Sequence, residues 1–172
     1  YFGTTSKYMF RIDDAHIGDP PKTQLTGPPT GSNSYCHDIA VNPDNADELI
    51  VVYSNYSVYS LFHSLDGGQS WEKIAGNLEE FPSGSGNGPS CRTAAIIPFA
   101  NDTLFLVGTT VGLFGTTNLD GINTVWEQIG FQDFGTTVVE DISFRLSDGL
   151  LVVATFGNGI YQINLQGPGG VL

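Results

Sequence analysis

The feature that most constrains the fold of this chain is an internal repeat of about 55 residues. Trp71 and Trp126 lie 55 positions apart, and Cys36 and Cys91 are separated by the same interval. Because two unrelated residue types keep one spacing, the sequence indicates copies of a single structural unit. Such copies bury their apolar faces against one another, so the fold is expected to be an array of similar units.

Each copy is predicted to form four short β-strands. Segments rich in Val, Ile, Leu, Phe and Tyr alternate with turns rich in Gly, Pro, Asn and Asp. Two copies are complete, whereas the chain opens with the last three strands of one copy and closes with the first three of another. The sequence therefore predicts an all-β fold, a β-propeller of four-stranded blades, present as about three and a half blades of a larger propeller.

The predicted boundaries follow this repeat. Residues 1–166 form the partial propeller, and residues 167–172, which begin Gly-Pro-Gly-Gly, form a linker to a following segment. The blade parts are approximately residues 1–27, 35–76, 91–130 and 138–165.

A specific turn sequence joins the third and fourth predicted strands of a copy. Residues 64–71 read Ser-Leu-Asp-Gly-Gly-Gln-Ser-Trp, in which one carboxylate and two hydroxyls can bond the turn backbone while the indole anchors the next strand. The next copy has a version that is one residue longer between its Asp and its Trp. The residues predicted to build these turns are Ser64, Asp66, Gly68, Ser70 and Trp71 in the first and Asp120, Thr124 and Trp126 in the second.

This turn resembles the Asp-box of the sialidase-type (BNR) repeat, and the resemblance extends over nearly the whole chain. In that family the box is structural and lies away from the catalytic centre. Residues 108–113, 120–126 and 148–161 are similar to secreted BNR-repeat surface proteins of the Bacteroidota that carry C-terminal sorting domains. The resemblance implies a secreted or cell-surface location.

The charge of the chain excludes several classes of partner. It carries 18 Asp and Glu against 6 Lys and Arg, a formal net charge of −12. No basic patch could neutralise a row of phosphates, so nucleic acid is not expected as a partner. No window of about 18 apolar residues exists, so no membrane insertion is expected either.

The function that we expect is a non-catalytic extracellular or cell-surface scaffold that binds protein or glycan partners. Its contacts would come from two long rim loops, residues 14–34 and 76–90, and from the channel mouth, while the remaining blades of the same propeller would be a further partner. One alternative is a secreted glycoside hydrolase, sialidase-like or other, with part of its active site in blades outside this chain. Another is an assembly factor like the BNR-like propellers that help to build photosystem II.

The candidate catalytic residues are few. Asp38 and Asp141 occupy equivalent positions on predicted inner strands and are the best candidates for an acid/base pair, although each could instead bond backbone as a repeated structural residue. Sialidases use three arginines to clamp a substrate carboxylate and open with F/Y-R-I-P. Here Arg11 lies in Phe-Arg-Ile-Asp, which lacks that proline, and a solvated or paired arginine is the other interpretation.

The two cysteines have two interpretations. Cys36 and Cys91 begin inner strands of adjacent blades, so they could form a disulfide between blades or remain two buried thiols.

No cofactor is expected from the sequence. Calcium is conceivable around Asp13, Asp14 and Asp19 or along residues 44–48, but acidic loops are more often solvated. Glycosylation sequons begin at Asn55 and Asn101.

Overall fold

Four antiparallel sheets follow one another along the chain. The computed structural model describes residues 1–30, 34–54, 56–99 and 102–165. The sheets contain three, four, four and three strands, and in each sheet the strands are neighbours in chain order. This arrangement confirms the prediction of an all-β, propeller-type fold of four-stranded blades with an incomplete sheet at each end.

The strand bounds are as follows. The first sheet contains β1 (Phe2–Gly3), β2 (Met9–Arg11) and β3 (Thr23–Gln24). The second contains β4 (Cys36–Asn42), β5 (Asn45–Tyr53), β6 (Leu61–Ser64) and β7 (Glu72–Lys73). The third contains β8 (Cys91–Phe99), β9 (Asp102–Thr109), β10 (Gly112–Thr116) and β11 (Glu127–Ile129). The fourth contains β12 (Val139–Arg145), β13 (Leu150–Thr155) and β14 (Gly159–Asn164).

The core lies between the sheets. Five consecutive residues of β5, Leu49 to Tyr53, are all buried, although successive side chains of a strand point to opposite faces. The second sheet is therefore covered on both faces, as expected of a blade between two others. The first strands of successive sheets, β4, β8 and β12, contact one another and form the inner edge of the array.

A repeated tryptophan bond joins neighbouring sheets. Trp126 is 2% exposed, and its indole N–H donates to the carbonyl oxygen of Ile74 at 2.8 Å. Trp71 donates in the same way to the carbonyl oxygen of Thr26, also at 2.8 Å. Each acceptor lies one or two residues beyond the outer strand of the preceding sheet, so the two tryptophans have equivalent roles.

The structure corrects two details of the predicted elements. The sequence predicts the third strand of the second sheet over residues 57–63. The strand begins instead at Leu61, because Ser57 has a φ of 61° and turns the chain before the strand. Residues 14–34 are not a single rim loop, because β3 divides them into a β2–β3 connection and a β3–β4 connection. The short helix α1 (Phe131–Phe134) was also not predicted. No helix among the described residues is long and apolar enough to cross a membrane.

In the turn over residues 64–71, the Asp66 carboxylate and the Ser64 hydroxyl bond the turn backbone, while the Ser70 hydroxyl bonds the carboxylate. Asp66 Oδ1 accepts from the backbone N–H of Gln69 at 3.0 Å and of Ser70 at 2.8 Å, and Asp66 Oδ2 accepts from the Ser70 hydroxyl at 2.6 Å. Ser64 Oγ donates to Asp66 Oδ1 and accepts from the Gly68 N–H. Gly68 has a φ of 85°, which a side chain would disfavour. Bonds from Ser70, and then from Ser64 and Gln69, lower the pKa of Asp66 to about 2.

The second Asp-box is built differently. Its additional residue forms a 3₁₀ turn over Gly121–Asn123, and Asp120 makes no side-chain capping bond to that turn. The buried Thr124 hydroxyl replaces the carboxylate, accepting from the Asp120 N–H at 2.9 Å and donating to the Gly121 carbonyl at 2.8 Å. In this turn the Thr124 hydroxyl bonds the backbone, whereas the Asp120 side chain makes no capping bond.

The cysteines do not form the disulfide that was one of the two expectations. Both are buried free thiols. Cys36 Sγ packs against Gly3 of the first sheet, where any added side chain would collide with it, and Cys91 lies beside Ser60 and Glu79 of the preceding, second sheet. Each thiol therefore faces the preceding sheet, so the two point in the same direction around the array and do not meet. Burial raises the pKa of each thiol to about 12.

We expect the stability of the protein to depend on Asp66 only above a defined pH. The carboxyl titrates near 3.8 when unfolded and near 2 when folded, so its stabilising effect is complete above about pH 4 and is lost as the pH falls through about 2. Denaturant unfolding should give wild type a larger free energy of unfolding than Asp66→Asn above about pH 4, and this difference should shrink as the pH falls toward 2. Asp120→Asn is the matched control, and at pH 7 it should lower the free energy of unfolding less than Asp66→Asn does, because the Asp120 side chain makes no capping bond to its turn. A difference in free energy of unfolding that stays constant from pH 5 to pH 2 would contradict the role given to the Asp66 carboxylate.

We also expect both thiols to be unreactive in the folded protein. At pH 8 a thiol reagent should label neither Cys36 nor Cys91 until denaturant is added, and then both, because the buried thiols hold their protons. Intact mass spectrometry without reductant should find no mass deficit of two hydrogens. A disulfide-linked peptide pair would refute this packing.

Candidate functional site

Three equivalent β-bulges lie along the inner edge of the array. The strand register shifts between Cys36 and Asp38 in β4, between Cys91 and Thr93 in β8, and between Val139 and Asp141 in β12. A bulge turns a side chain away from the alternation of its strand, and bulges are common beside functional sites. The bulged residues are His37, Arg92 and Glu140, which we call the bulge row.

Direct contacts link the members of the bulge row across three sheets. His37 Nδ1 lies 2.6 Å from the carbonyl oxygen of Arg92, and since a carbonyl only accepts, this nitrogen carries the hydrogen. The Arg92 guanidinium donates from Nη2 to Glu140 Oε1 at 3.3 Å. These two side chains are 32% and 36% exposed, so a ligand can reach them. Within the described residues, Arg92 Nε is buried without a hydrogen-bond partner.

An exposed aromatic ring stands at one end of the row. Tyr35 is 38% exposed, and its ring meets that of His37 edge to face with 5.7 Å between centroids. The row thus combines an aromatic surface, an imidazole, a guanidinium and a carboxylate.

The two predicted acid/base carboxylates are in different environments. Asp38 Oδ2 accepts from the Thr93 hydroxyl at 2.8 Å and from the Ala94 N–H at 3.0 Å, while Oδ1 accepts from the Ile39 N–H at 2.8 Å. Asp38 therefore ties β4 to β8, which is the structural role weighed against catalysis. Asp141 is exposed on β12, on the far side of β8 from β4.

The arginines do not converge. Arg11 bonds Asp13 and also Asp47 at 2.9 Å, and it stacks over the ring of Tyr1. Arg145 pairs with Asp148 at 2.6 Å on the β12–β13 turn. Together with the Arg92–Glu140 pair, each of the three guanidinium groups has a different carboxylate partner, so they do not form a shared clamp for a substrate carboxylate.

No metal site is assembled in the described part of the chain. There, no group of three or more His, Cys, Asp or Glu side chains could hold an ion. In the candidate calcium segments, Asp13 bonds Arg11, while Asp14 and Asp19 are exposed. Glu48 instead accepts from Asn42 and contacts His63. The sequon residues Asn55 and Asn101 and the predicted linker at 167–172 lie outside the described residues.

Sequence reasoning missed the bulge row, although a signal was present. His37, Arg92 and Glu140 occupy one repeat position immediately before the inner-strand residues Asp38, Thr93 and Asp141. A polar residue at that position in three successive copies could have been noticed, but only the strand register reveals the bulge. A second missed group is the buried pair of His63 and Glu48, 3.0 Å apart, which sequence spacing does not suggest.

Comparison with known proteins supports the fold. No protein-family model and no curated protein sequence matches the chain. Solved structures that it resembles include the crystal structure of an ancestral GH74 enzyme, with a TM-score of 0.52 and 17% sequence identity. The match covers 80% of this chain and 20% of that one, so the chain spans about one fifth of the enzyme's length. At this identity the likeness shows the fold alone, and the narrower resemblance to BNR-repeat surface proteins stays a prediction.

Proposed function

We propose that this protein is part of a larger extracellular β-propeller that binds a glycan without cleaving it. The observation that carries the proposal is the bulge row, in which polar, part-exposed side chains are presented side by side by three successive sheets. The similar solved enzyme belongs to GH74, a glycoside hydrolase family, which supports a glycan as the class of ligand.

The chemistry of the row suits sugar hydroxyl groups. Arg92 supplies donors from its part-exposed guanidinium, while Glu140 supplies acceptors. Tyr35 supplies an exposed ring with a polar tip, the kind of surface against which a sugar ring can pack. The pairing of Arg92 with Glu140 at 3.3 Å is a long contact, which a ligand hydroxyl could replace or bridge.

The environment of Asp38 supports binding without catalysis. A general acid must exchange its proton with a substrate, but three donors already occupy the oxygens of this carboxylate. Its proposed partner Asp141 lies on another inner strand beyond β8. We also propose that the protein acts outside the cell, since secretion is implied by its resemblance to BNR-repeat surface proteins.

A second candidate function is glycoside hydrolysis, favoured by the GH74 likeness and by the exposed Asp141 carboxylate. Its remaining catalytic group would then lie in blades outside this chain.

Glycan binding should depend on Arg92 and not on arginine content in general. Affinity electrophoresis against a panel of neutral and acidic polysaccharides should show retardation of the wild-type protein by at least one of them. Arg92→Gln should weaken that retardation at least tenfold, because it removes the charged donors. Arg145→Gln is the matched control, since Arg145 pairs with Asp148 away from the row, and should bind like wild type. The proposal fails if no polysaccharide retards the protein, or if the two variants behave alike.

Substitutions of Asp38 and Asp141 distinguish a glycan-binding protein from a glycoside hydrolase. Asp38→Asn should lower the free energy of unfolding by about 1–3 kcal/mol, because charge-assisted bonds between β4 and β8 are weakened. Asp141→Asn should change stability by less than about 0.5 kcal/mol, as is usual at exposed positions. Reducing-end assays on any bound polysaccharide should detect no product. Product formation that Asp141→Asn abolishes would instead establish the hydrolase.

A further inference from the structure

Two Asn-Gly pairs occur in the chain, and the structure holds them differently. Asn87-Gly88 lies in the loop between the second and third sheets, whereas Asn158-Gly159 lies at the turn between β13 and β14. In an Asn-Gly pair the backbone nitrogen of the glycine can attack the asparagine carboxamide, because glycine has no side chain to hinder the approach. The folded structure decides at which pair this attack can occur.

The reacting groups of the first pair are accessible to each other. Asn87 is exposed, and within the described residues neither its carboxamide nor the Gly88 N–H makes a hydrogen bond. The Asn87 N–H donates to Glu80 Oε2 at 2.6 Å, which ties the loop to the chain before it. Residues 82–88 contain three glycines and neither a strand nor a helix, so the backbone around Asn87 can rotate into the geometry of the attack.

The second pair is held by the fourth sheet. Gly159 is the first residue of β14 and pairs with Thr155, and its carbonyl accepts from the Thr155 hydroxyl at 2.7 Å. The Asn158 carboxamide donates to the carbonyl oxygen of Phe134 at 3.4 Å. For the Gly159 nitrogen to reach that carboxamide, the start of β14 would have to rotate out of its ladder. The second pair is therefore an internal control for the first.

We propose that Asn87 is a site of spontaneous deamidation in the folded protein. The Gly88 nitrogen loses its proton to solvent base and forms a bond to Asn87 Cγ, while the bond from Cγ to Nδ2 breaks and ammonia leaves. Water then opens the resulting cyclic imide. Cleavage between Cγ and the Gly88 nitrogen gives aspartate, whereas cleavage at the backbone carbonyl gives isoaspartate. The reaction consumes water, releases ammonia and needs no oxidant or reductant.

The modification weakens the attachment of the loop. Either product places a carboxylate beside the N–H that Glu80 accepts, so like charges repel at a point where a hydrogen bond held the loop. The loop is also packed closely, since a Cβ on Gly86 would lie 2.5 Å from Glu80 Oε2 and one on Gly88 would lie 2.5 Å from the Leu78 carbonyl oxygen. It cannot shift inward to accommodate the longer backbone of isoaspartate, so residues 82–88 separate from Glu80.

Peptide mapping after incubation of the purified protein at pH 8.5 tests the proposal. The peptide that contains Asn87 should gain the mass difference between an amide and an acid and separate into aspartate and isoaspartate forms. Its rate should be at least tenfold above that of the peptide that contains Asn158. In denaturant neither pair is held, so the two rates should become similar. The Asn87 rate should fall at pH 6, because loss of the Gly88 proton starts the reaction.

Matched variants and hydrogen exchange complete the test. Asn87→Gln should leave no modified product at that position, because glutamine would have to close a larger ring. Asn158→Gln is the control and should leave the Asn87 rate unchanged. In the deamidated protein, amides of residues 82–88 should exchange at least tenfold faster than in the unmodified protein. The proposal is overturned if Asn87 survives in the folded protein, if Asn158 reacts as fast there, or if deamidation leaves this exchange unchanged.

Discussion

The structure depends on the packing of each sheet against the next. A single three- or four-stranded sheet with apolar residues on both faces is not stable alone in water. Five consecutive residues of β5 are buried, so the second sheet needs a neighbour on each face. The indole bonds of Trp71 and Trp126 fix the distance and register of this packing at the outer strands. The bonds from Thr93 and Ala94 to Asp38 do the same at the inner edge. Each such bond stabilises the fold by only about 0.5–3 kcal/mol, so apolar burial provides most of the stability and the polar bonds select the register.

The same packing creates the bulge row. Repetition brings three bulges to one edge, where His37, Arg92 and Glu140 become neighbours although about 50 residues of sequence separate each from the next.

Much of the fold could be predicted from the sequence because the repeat makes each copy evidence for the others. The strand count and the positions of β12, β13 and β14, which lie within the predicted blade part 138–165, follow from aligned apolar segments. The failures have local causes. Ser57 adopts a positive φ, which is not predictable from its residue type. The residue inserted after Asp120 shifts the hydrogen bonds of that turn to the Thr124 hydroxyl.

The candidate site was less predictable than the fold. Asp38 and Asp141 share a repeat position, but only the structure shows that one carboxylate is saturated by donors and the other is exposed. The cysteines share a position as well, yet equivalence itself prevents their pairing, because both thiols point toward the preceding sheet. The bulge row depends on strand register, a property of paired strands that no single segment of sequence specifies.

Native-state hydrogen exchange, read at the indole N–H groups and along the inner strands, tests the central claim most directly. If sheets stabilise one another, the Trp126 indole and the amides of β5, β8 and β9 should exchange together, and only through global unfolding. Exchange of the Trp126 indole at the rate of a free indole, or sheets that open independently of one another, would contradict the account.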